Sequence, residues 1–158
     1  MSKPTPFLWF DSNAEEAMNF YLSIFPNSKV QSVTRYGAGG PGPAGTVMTA
    51  AFQLDGQDFV ALNGGPLYKF TEAVSFSVNC ETQAEVDRFW DKLTAGGGHP
   101  GPCGWLKDKY GLSWQIVPTI LPKLLSDKDP AKSGRAMAAM MKMGKLDGDA
   151  LKRAHEGV

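Results

Sequence analysis

The predicted elements of this chain follow one order twice: a strand, a helix and then three strands. The first copy covers about residues 4–66 and the second about residues 72–118. Residues 11–21 align without a gap on residues 80–90, which places Glu16 on Glu85 and Tyr21 on Trp90. A shared element order together with shared sequence indicates a duplicated unit. We therefore predict an α+β protein in which two βαβββ modules form one domain over residues 1–158.

Local patterns support this order in both copies. Residues 14–25 and 82–94 have apolar side chains at helical spacing, and short apolar or alternating runs before and after them predict strands. Asp55-Gly56 favours a type I′ hairpin turn, and the turn from Asp108 to Gly111 suits type I. Residues 37–45 are a Gly/Pro-rich segment without periodicity, which predicts a loop near the binding site.

The chain changes character after Pro118, and residues 119–158 predict a helical tail. Asp129-Pro130 is typical of a helix start, and a helix is expected over about 131–143, followed by a shorter one over 146–155. Met137, Met140 and Met141 would share one helix face. Such a stripe packs either on its own domain or on a second copy of the chain.

Composition excludes several classes of partner. The 16 basic and 16 acidic residues give a formal net charge of zero, so no basic surface for nucleic acid is expected. No apolar run reaches the roughly 20 residues that span a bilayer. Residues 1–4 lack the features of a signal peptide, and Cys80 and Cys103 are too few for a disulfide scaffold. We expect a cytoplasmic protein with free thiols.

Three stretches of sequence resemble a known family. They are residues 6–21, residues 104–118 and residues 138–151, of which Trp105–Pro118 is the most specific. The chain resembles the vicinal-oxygen-chelate (glyoxalase/bleomycin-resistance) superfamily and, within it, the PhnB-like branch often labelled 3-demethylubiquinone-9 3-methyltransferase. This resemblance implies two sheets curled around a shared cleft, and a homodimer.

The sequence does not support the methyltransferase label. A nucleotide-type cofactor is usually held by a Gly-rich loop between the first strand and its helix. Here residues 7–10 run into Asp11-Ser12-Asn13 without a glycine, and the glycines of residues 37–45 lie between two strands. No cofactor is therefore expected.

The metal ligands of the superfamily are also missing from the expected positions. The resemblance places these positions near Pro4, Phe59, Ala73 and Gln115, and only Gln115 could coordinate an ion. Asp58 is next to Phe59 and Glu72 is next to Ala73, but side chains alternate along a strand, so these two carboxylates would point to the other face. We expect no metal, with a shifted register as the alternative.

Alternation along the strands predicts which residues line a substrate pocket. In the second module the small polar residues share one face, and in the first module the same parity selects mainly apolar ones. The predicted lining residues are Leu8, Phe10, Phe59, Ala61, Asn63, Ser75, Ser77, Cys103, Trp105, Ser113 and Gln115. The alternative is that the serines simply face solvent on an open sheet.

These patterns predict a protein that binds a small, partly apolar molecule in a metal-free cleft. The alternative is a metal-dependent lyase, isomerase or dioxygenase of the same superfamily. Cys103 could act as a nucleophile, but it lacks a dedicated basic partner other than His99, and a quiet thiol is the simpler interpretation. The sequence does not identify the ligand.

Overall fold

The computed structural model describes residues 2–158 and contains two compact units, the first ending at Phe70 and the second beginning at Thr71. Each unit holds a four-stranded mixed sheet. Both sheets have the same strand order: the first strand of the unit lies at one edge beside the fourth, the fourth pairs with the third, and the second lies at the other edge. The first and last strands of each copy pair in parallel, and the remaining pairs are antiparallel. The predicted repeat of βαβββ modules is confirmed, and the fold is α+β.

The first unit is built from β1 (Phe7–Phe10), α1 (Ala14–Ile24), β2 (Lys29–Arg35), β3 (Val47–Leu54) and β4 (Gln57–Asn63). The turn between β3 and β4 has positive φ at both central residues, 46° at Asp55 and 81° at Gly56. Those values fit the type I′ turn expected from Asp-Gly. Helix α1 packs on β3 and β4.

The core of the first unit lies between α1 and one face of the sheet. Tyr21 of α1 is fully buried and stacks on Phe52 with ring centroids 6.4 Å apart, and Phe52 stacks in turn on Phe59 at 5.6 Å. Leu8 and Ala61 are paired in register on the same face and are also buried. The burial of these aromatic and aliphatic side chains holds α1 on the sheet.

The second unit contains β5 (Ser75–Cys80), α2 (Gln83–Thr94), β6 (His99–Pro100), β7 (Trp105–Lys107) and β8 (Ser113–Pro118). Helix α2 packs on β7 and β8. The buried residues of this layer are Val86, Phe89, Trp90 and Leu93 from the helix and Leu106, Trp114 and Ile116 from the strands.

The tail forms three helices, α3 (Ile120–Leu125), α4 (Pro130–Met140) and α5 (Gly148–Glu156). The sequence predicted only the last two, and it extended α4 to residue 143. The tail packs within its own unit, through a cluster of Leu121, Leu124, Ala136, Leu146 and Leu151. Met140 joins this cluster, whereas Met137 and Met141 are 43% and 62% exposed. The methionine stripe is therefore only partly covered.

None of the helices formed by residues 2–158 combines the length and the apolar character needed to cross a bilayer.

Candidate functional site

The face of the second sheet opposite α2 carries polar side chains in register. Ser75, Ser113 and Lys107 are cross-strand partners, as are Ser77, Gln115 and Trp105. Directly paired residues of neighbouring strands lie on the same face of a sheet. Five of the predicted pocket residues, namely Ser75, Ser77, Trp105, Ser113 and Gln115, therefore share this face.

A cleft of about 550 Å³ lies over part of this face. Its walls are mainly apolar, with Trp105, Leu106, Pro100 and Pro102 among the lining residues. Its polar groups come from Glu72, His99, Cys103, Lys107 and Ser113. An apolar enclosure with a few polar groups is the usual form of a small-molecule site.

The most unusual polar atom in this cleft is the hydroxyl of Ser113. The residue is 1% exposed, and its Oγ has no hydrogen-bond partner within residues 2–158. An unsatisfied buried hydroxyl costs about 1–3 kcal/mol. The neighbouring Gln115 is different, because its Nε2 donates to Ser75 Oγ at 2.9 Å. Among the described residues, the Ser113 hydroxyl is thus the buried polar group on this face that is left without a hydrogen bond.

An ion pair between Lys107 and Glu72 lies at the same cleft. The hydrogen bond from Lys107 is the largest cause of a lowered pKa at the Glu72 carboxyl, and the Lys107 charge acts in the same direction. Both side chains are substantially exposed, so the pair contributes little to stability. Its role is to place two opposite charges beside an apolar enclosure.

The segment from Gly101 to Gly104 forms one wall of the cleft and is held by the tail. The Cys103 N–H donates to the Met143 carbonyl and the Gly104 N–H to the Gly144 carbonyl, both at 2.8 Å. Gly104 has φ of 84°, and a Cβ there would lie 2.9 Å from the Ile116 carbonyl oxygen. Only glycine fits this position. Sequence reasoning missed this support, because the bonds involve backbone groups about 40 residues apart.

Cys103 is a part-buried residue in this wall with φ of 58°. Its Sγ lies 3.8 Å from Met141 Sδ. Cys80, in contrast, is buried, and burial is the main cause that raises the pKa of its thiol to about 11. The N-cap of α2 is Thr82, two residues after Cys80.

The pocket residues predicted in the first module lie on the wrong face for an open cleft. Leu8, Phe10, Phe59 and Ala61 are buried on the side of the sheet that α1 covers. Alternation of polar and apolar side chains could not identify the cleft-facing side of β1, because both of its faces are apolar. Phe7 and Trp9 lie on the face opposite Leu8 and Phe10. These four residues form core rather than the surface of a cleft.

Asn63, the fifth predicted residue of that module, has a structural role. Its Oδ1 accepts from the Ala14 N–H at 2.8 Å and its Nδ2 donates to the Val47 carbonyl at 3.1 Å. It thereby caps α1 from the end of β4. It also borders a second cleft, of about 600 Å³, which belongs to the first unit.

The residues at the positions implied for a metal do not fit a divalent ion. Phe59 lies in the core, and the amide of Gln115 is engaged with Ser75. No group of three His, Cys, Asp or Glu side chains suited to a metal occurs among residues 2–158. The donor set therefore offers one amide oxygen, which binds such ions weakly.

Comparison with known proteins identifies relatives of the chain. A family model described as 3-demethylubiquinone-9 3-methyltransferase matches residues 2–117. A structure from Bacillus cereus, described as a putative 3-demethylubiquinone-9 3-methyltransferase and PhnB protein, is 42% identical with a TM-score of 0.67. The match covers 75% of this chain and 100% of that chain.

Two more distant structures share the fold. Protein PA1353 from Pseudomonas aeruginosa is 21% identical, with a TM-score of 0.63 over 75% of this chain and 98% of that one. The fosfomycin resistance protein FosX from Listeria monocytogenes is 16% identical, with a TM-score of 0.58 over 80% and 98% of the two chains. No curated protein sequence matches.

Proposed function

This chain belongs to the 3-demethylubiquinone-9 3-methyltransferase family, and we propose that it binds a small, partly apolar molecule without a metal in the cleft of its second unit. Its fold is that of the glyoxalase/bleomycin-resistance superfamily, in the PhnB-like branch, as the sequence predicted. The observation that carries the proposal is Ser113, which lines an apolar cleft and whose buried hydroxyl has no hydrogen-bond partner among the described residues.

The composition of the cleft defines the expected ligand. Trp105 and the two prolines suit a flat ring. The Ser113 hydroxyl is covered in the ligand-free protein, and a small movement of the cleft wall would uncover it to donate to an oxygen or nitrogen acceptor on that ring. The Lys107–Glu72 pair can interact with a second polar group at the exposed side. Small aromatic or quinone-like metabolites combine these properties, and we propose this class as the ligand.

Methyl transfer is not part of this proposal. The family description names that activity, but the first strand of this chain enters Asp11-Ser12-Asn13 without a glycine-rich turn. Each sheet is a small mixed sheet rather than the doubly wound parallel sheet that usually holds such a cofactor. Within the part of the chain that the structure describes, the connection from β1 to α1 therefore differs from such a cofactor loop.

We also propose that the protein acts as a cytoplasmic homodimer. Support for the dimer comes from β2, an edge strand whose seven residues are all exposed, including Val30 and Val33. An exposed edge strand with apolar side chains is a common surface for self-association. Light scattering after gel filtration would measure the mass, and a monomer at micromolar concentration would contradict the dimer.

Thermal unfolding of the chelator-treated protein with a panel of small aromatic and quinone-like compounds tests the main proposal. A ligand that binds only the folded state raises Tm in a saturable manner. With any compound that does so, Ser113→Ala should weaken binding about fivefold, the loss of one hydrogen bond of about 1 kcal/mol. Ser75→Ala is the matched control, since it removes a hydroxyl from the same face but outside the cleft wall.

The same variants separate binding from folding. Ser113→Ala should raise the free energy of unfolding of the ligand-free protein by about 1 kcal/mol, because it removes an unsatisfied buried group. Ser75→Ala should lower it, because Gln115 loses its acceptor. Equal ligand affinity in wild type and Ser113→Ala would contradict the assigned cleft. A saturable rise in Tm with one divalent metal would instead favour the metal-dependent enzyme.

A further inference from the structure

A second cleft, of about 600 Å³, lies in the first unit beside the ends of β1 and β4 and the loop of residues 37–45. It shares no lining residue with the cleft of the second unit. Two aromatic side chains, Trp9 and Tyr36, and two prolines, Pro41 and Pro43, contribute to its walls. Its ligand can therefore be considered independently of the function proposed above.

Both aromatic side chains are fixed by backbone carbonyls at the end of β4. Trp9 Nε1 donates to the Gly65 carbonyl at 2.9 Å, and the Tyr36 hydroxyl donates to the Asn63 carbonyl. The donor hydrogen of each side chain is thereby engaged. Trp9 also packs edge-to-face with Tyr68, with ring centroids 5.0 Å apart, so the two residues offer a ligand the part of each electron-rich π-system that borders the cleft.

Close approach of the backbone fixes the same rings further. A Cβ at Gly64 would overlap the Trp9 indole, and a Cβ at Gly42 would overlap the Tyr36 ring. Neither glycine has a positive φ, so the requirement is for space. Rings held in this way need little reordering when a ligand binds, which favours affinity.

The charge of the cleft is negative. Among residues 2–158, Asp11 is the only carboxylate that lines this cleft, and no Lys, Arg or His of that range lines it. Within residues 2–158 the Asp11 side chain makes no hydrogen bond or ion pair, although its main-chain oxygen accepts from the Gly65 N–H at 3.0 Å. An unneutralised carboxylate beside two fixed aromatic rings favours a positive charge.

We propose that this cleft binds a small organic cation of the alkylated ammonium class. The charge would lie near the Trp9 and Tyr36 rings, and Asp11 would face it from the rim. The methyl groups of such a cation fit the apolar contacts that Pro41, Pro43 and Leu62 provide. Lysine-like primary ammonium ions are less suitable, because they are more strongly hydrated and lose more on leaving water.

Titration with choline and with its neutral isostere 3,3-dimethylbutan-1-ol tests the proposal, because the two differ mainly in charge. The readout is the indole N–H signal of Trp9 in NMR spectra of the full chain, assigned with Trp9→Phe. Choline should shift this signal in a saturable manner, with a roughly millimolar dissociation constant, and the isostere should bind about tenfold more weakly.

Variants then test the assigned carboxylate. Asp11→Asn should weaken choline binding about threefold, an effect reduced by added salt. Asp55→Asn makes the same change of charge in the β3–β4 turn of the same unit, outside the cleft, and should leave binding unchanged.

Three results would overturn the proposal. Equal binding of choline and the isostere would show an apolar cleft without preference for charge. A shift of other indole signals with no change at Trp9 would place the cation elsewhere. An Asp11→Asn variant that binds choline as well as wild type would remove the electrostatic basis of the site.

Discussion

Asp108 shows how an acidic residue near a cleft can be entirely structural. It is 1% exposed, and its Oδ1 accepts from the Tyr110 and Leu112 N–H groups while Oδ2 accepts from Trp114 Nε1 at 2.9 Å. These bonds fix the β7–β8 turn and the orientation of a core tryptophan. Both oxygens of the Asp108 carboxylate are engaged in these structural hydrogen bonds, so we assign the carboxylate no role in the cleft.

The two cysteines should differ in reactivity in the folded protein. Cys80 is 1% exposed and the pKa of its thiol is raised to about 11, whereas Cys103 is part-exposed in the cleft wall. Because the thiolate is the reactive form, iodoacetamide at pH 8 should modify Cys103 much faster than Cys80. Mass spectrometry of peptides measures both rates, and unfolding in urea should make them similar. Faster modification of Cys80 in the folded state would contradict this.

The raised pKa of Cys80 also gives a dependence of stability on pH. In the unfolded chain this thiol ionises near its ordinary pKa of 9.0, but in the folded protein it does so only near 11. Stability should therefore fall as pH rises from about 9 to about 11. The Cys80→Ala variant should lose this part of the pH dependence in urea unfolding curves.

The candidate site was partly predictable from the sequence at this scale. Alternation placed Ser113 and Gln115 on one face, because polar and bulky residues clearly alternate in β8. It failed in β1, where Phe7-Leu8-Trp9-Phe10 is apolar on both sides. The absence of a partner for Ser113 could not be predicted, since it depends on every group packed around one atom.

At the scale of elements, the two equivalent helices begin in different ways. Helix α2 has a capping box, in which Thr82 accepts from the Glu85 N–H and the Glu85 carboxylate accepts from the Thr82 N–H. Asn13, at the same position of α1, makes no side-chain cap bond, and Asn63 of β4 caps that helix instead. In the first module the helix cap thus comes from a distant strand, whereas in the second module it comes from the residues at the helix start.

This difference predicts unequal effects of two similar substitutions. Thr82→Ala should lower the free energy of unfolding by about 1 kcal/mol, because it removes one half of the capping box. Asn13→Ala should cost clearly less, since no cap bond is lost. Urea unfolding followed by circular dichroism measures both, and an equal or larger loss in Asn13→Ala would show that the cap of α1 is misassigned.

Element prediction succeeded where patterns were long and failed where they were short. The start of α4 was predicted from Asp129-Pro130 and is confirmed, since Asp129 accepts from the Ala131 N–H and Pro130 begins the helix. The repeat predicted three strands after α2 but did not locate the two-residue strand β6, and the six-residue helix α3 was missed. Neither is long enough to show a period, and both exist because neighbouring elements bind them.

At the scale of the whole molecule, the helical tail shapes a site in the second unit. The family match ends at Val117, so α3, α4 and α5 lie outside it. The tail nevertheless holds the wall of the second-unit cleft through Met143 and Gly144, and its Leu146 side chain packs against Gly104. Gln83 of α2 binds the Leu146 carbonyl and the Gly148 N–H, which fixes the same segment to the module.

This arrangement predicts that loosening the tail at Leu146 will loosen the cleft wall. Leu146 is fully buried, and Leu146→Ala should lower the free energy of unfolding by about 3 kcal/mol. It should also speed alkylation of Cys103 in the folded protein, because the wall loses its packing against the tail.

Leu124→Ala is the matched control, since Leu124 belongs to the same cluster but is not among the close neighbours of Gly104. It should lose stability while leaving the Cys103 rate near that of wild type. Cys80, buried elsewhere in the unit, reports any global unfolding in both variants. If both variants expose Cys103 equally while Cys80 stays protected, the tail acts on the cleft through general stability and not through the contact at Gly104.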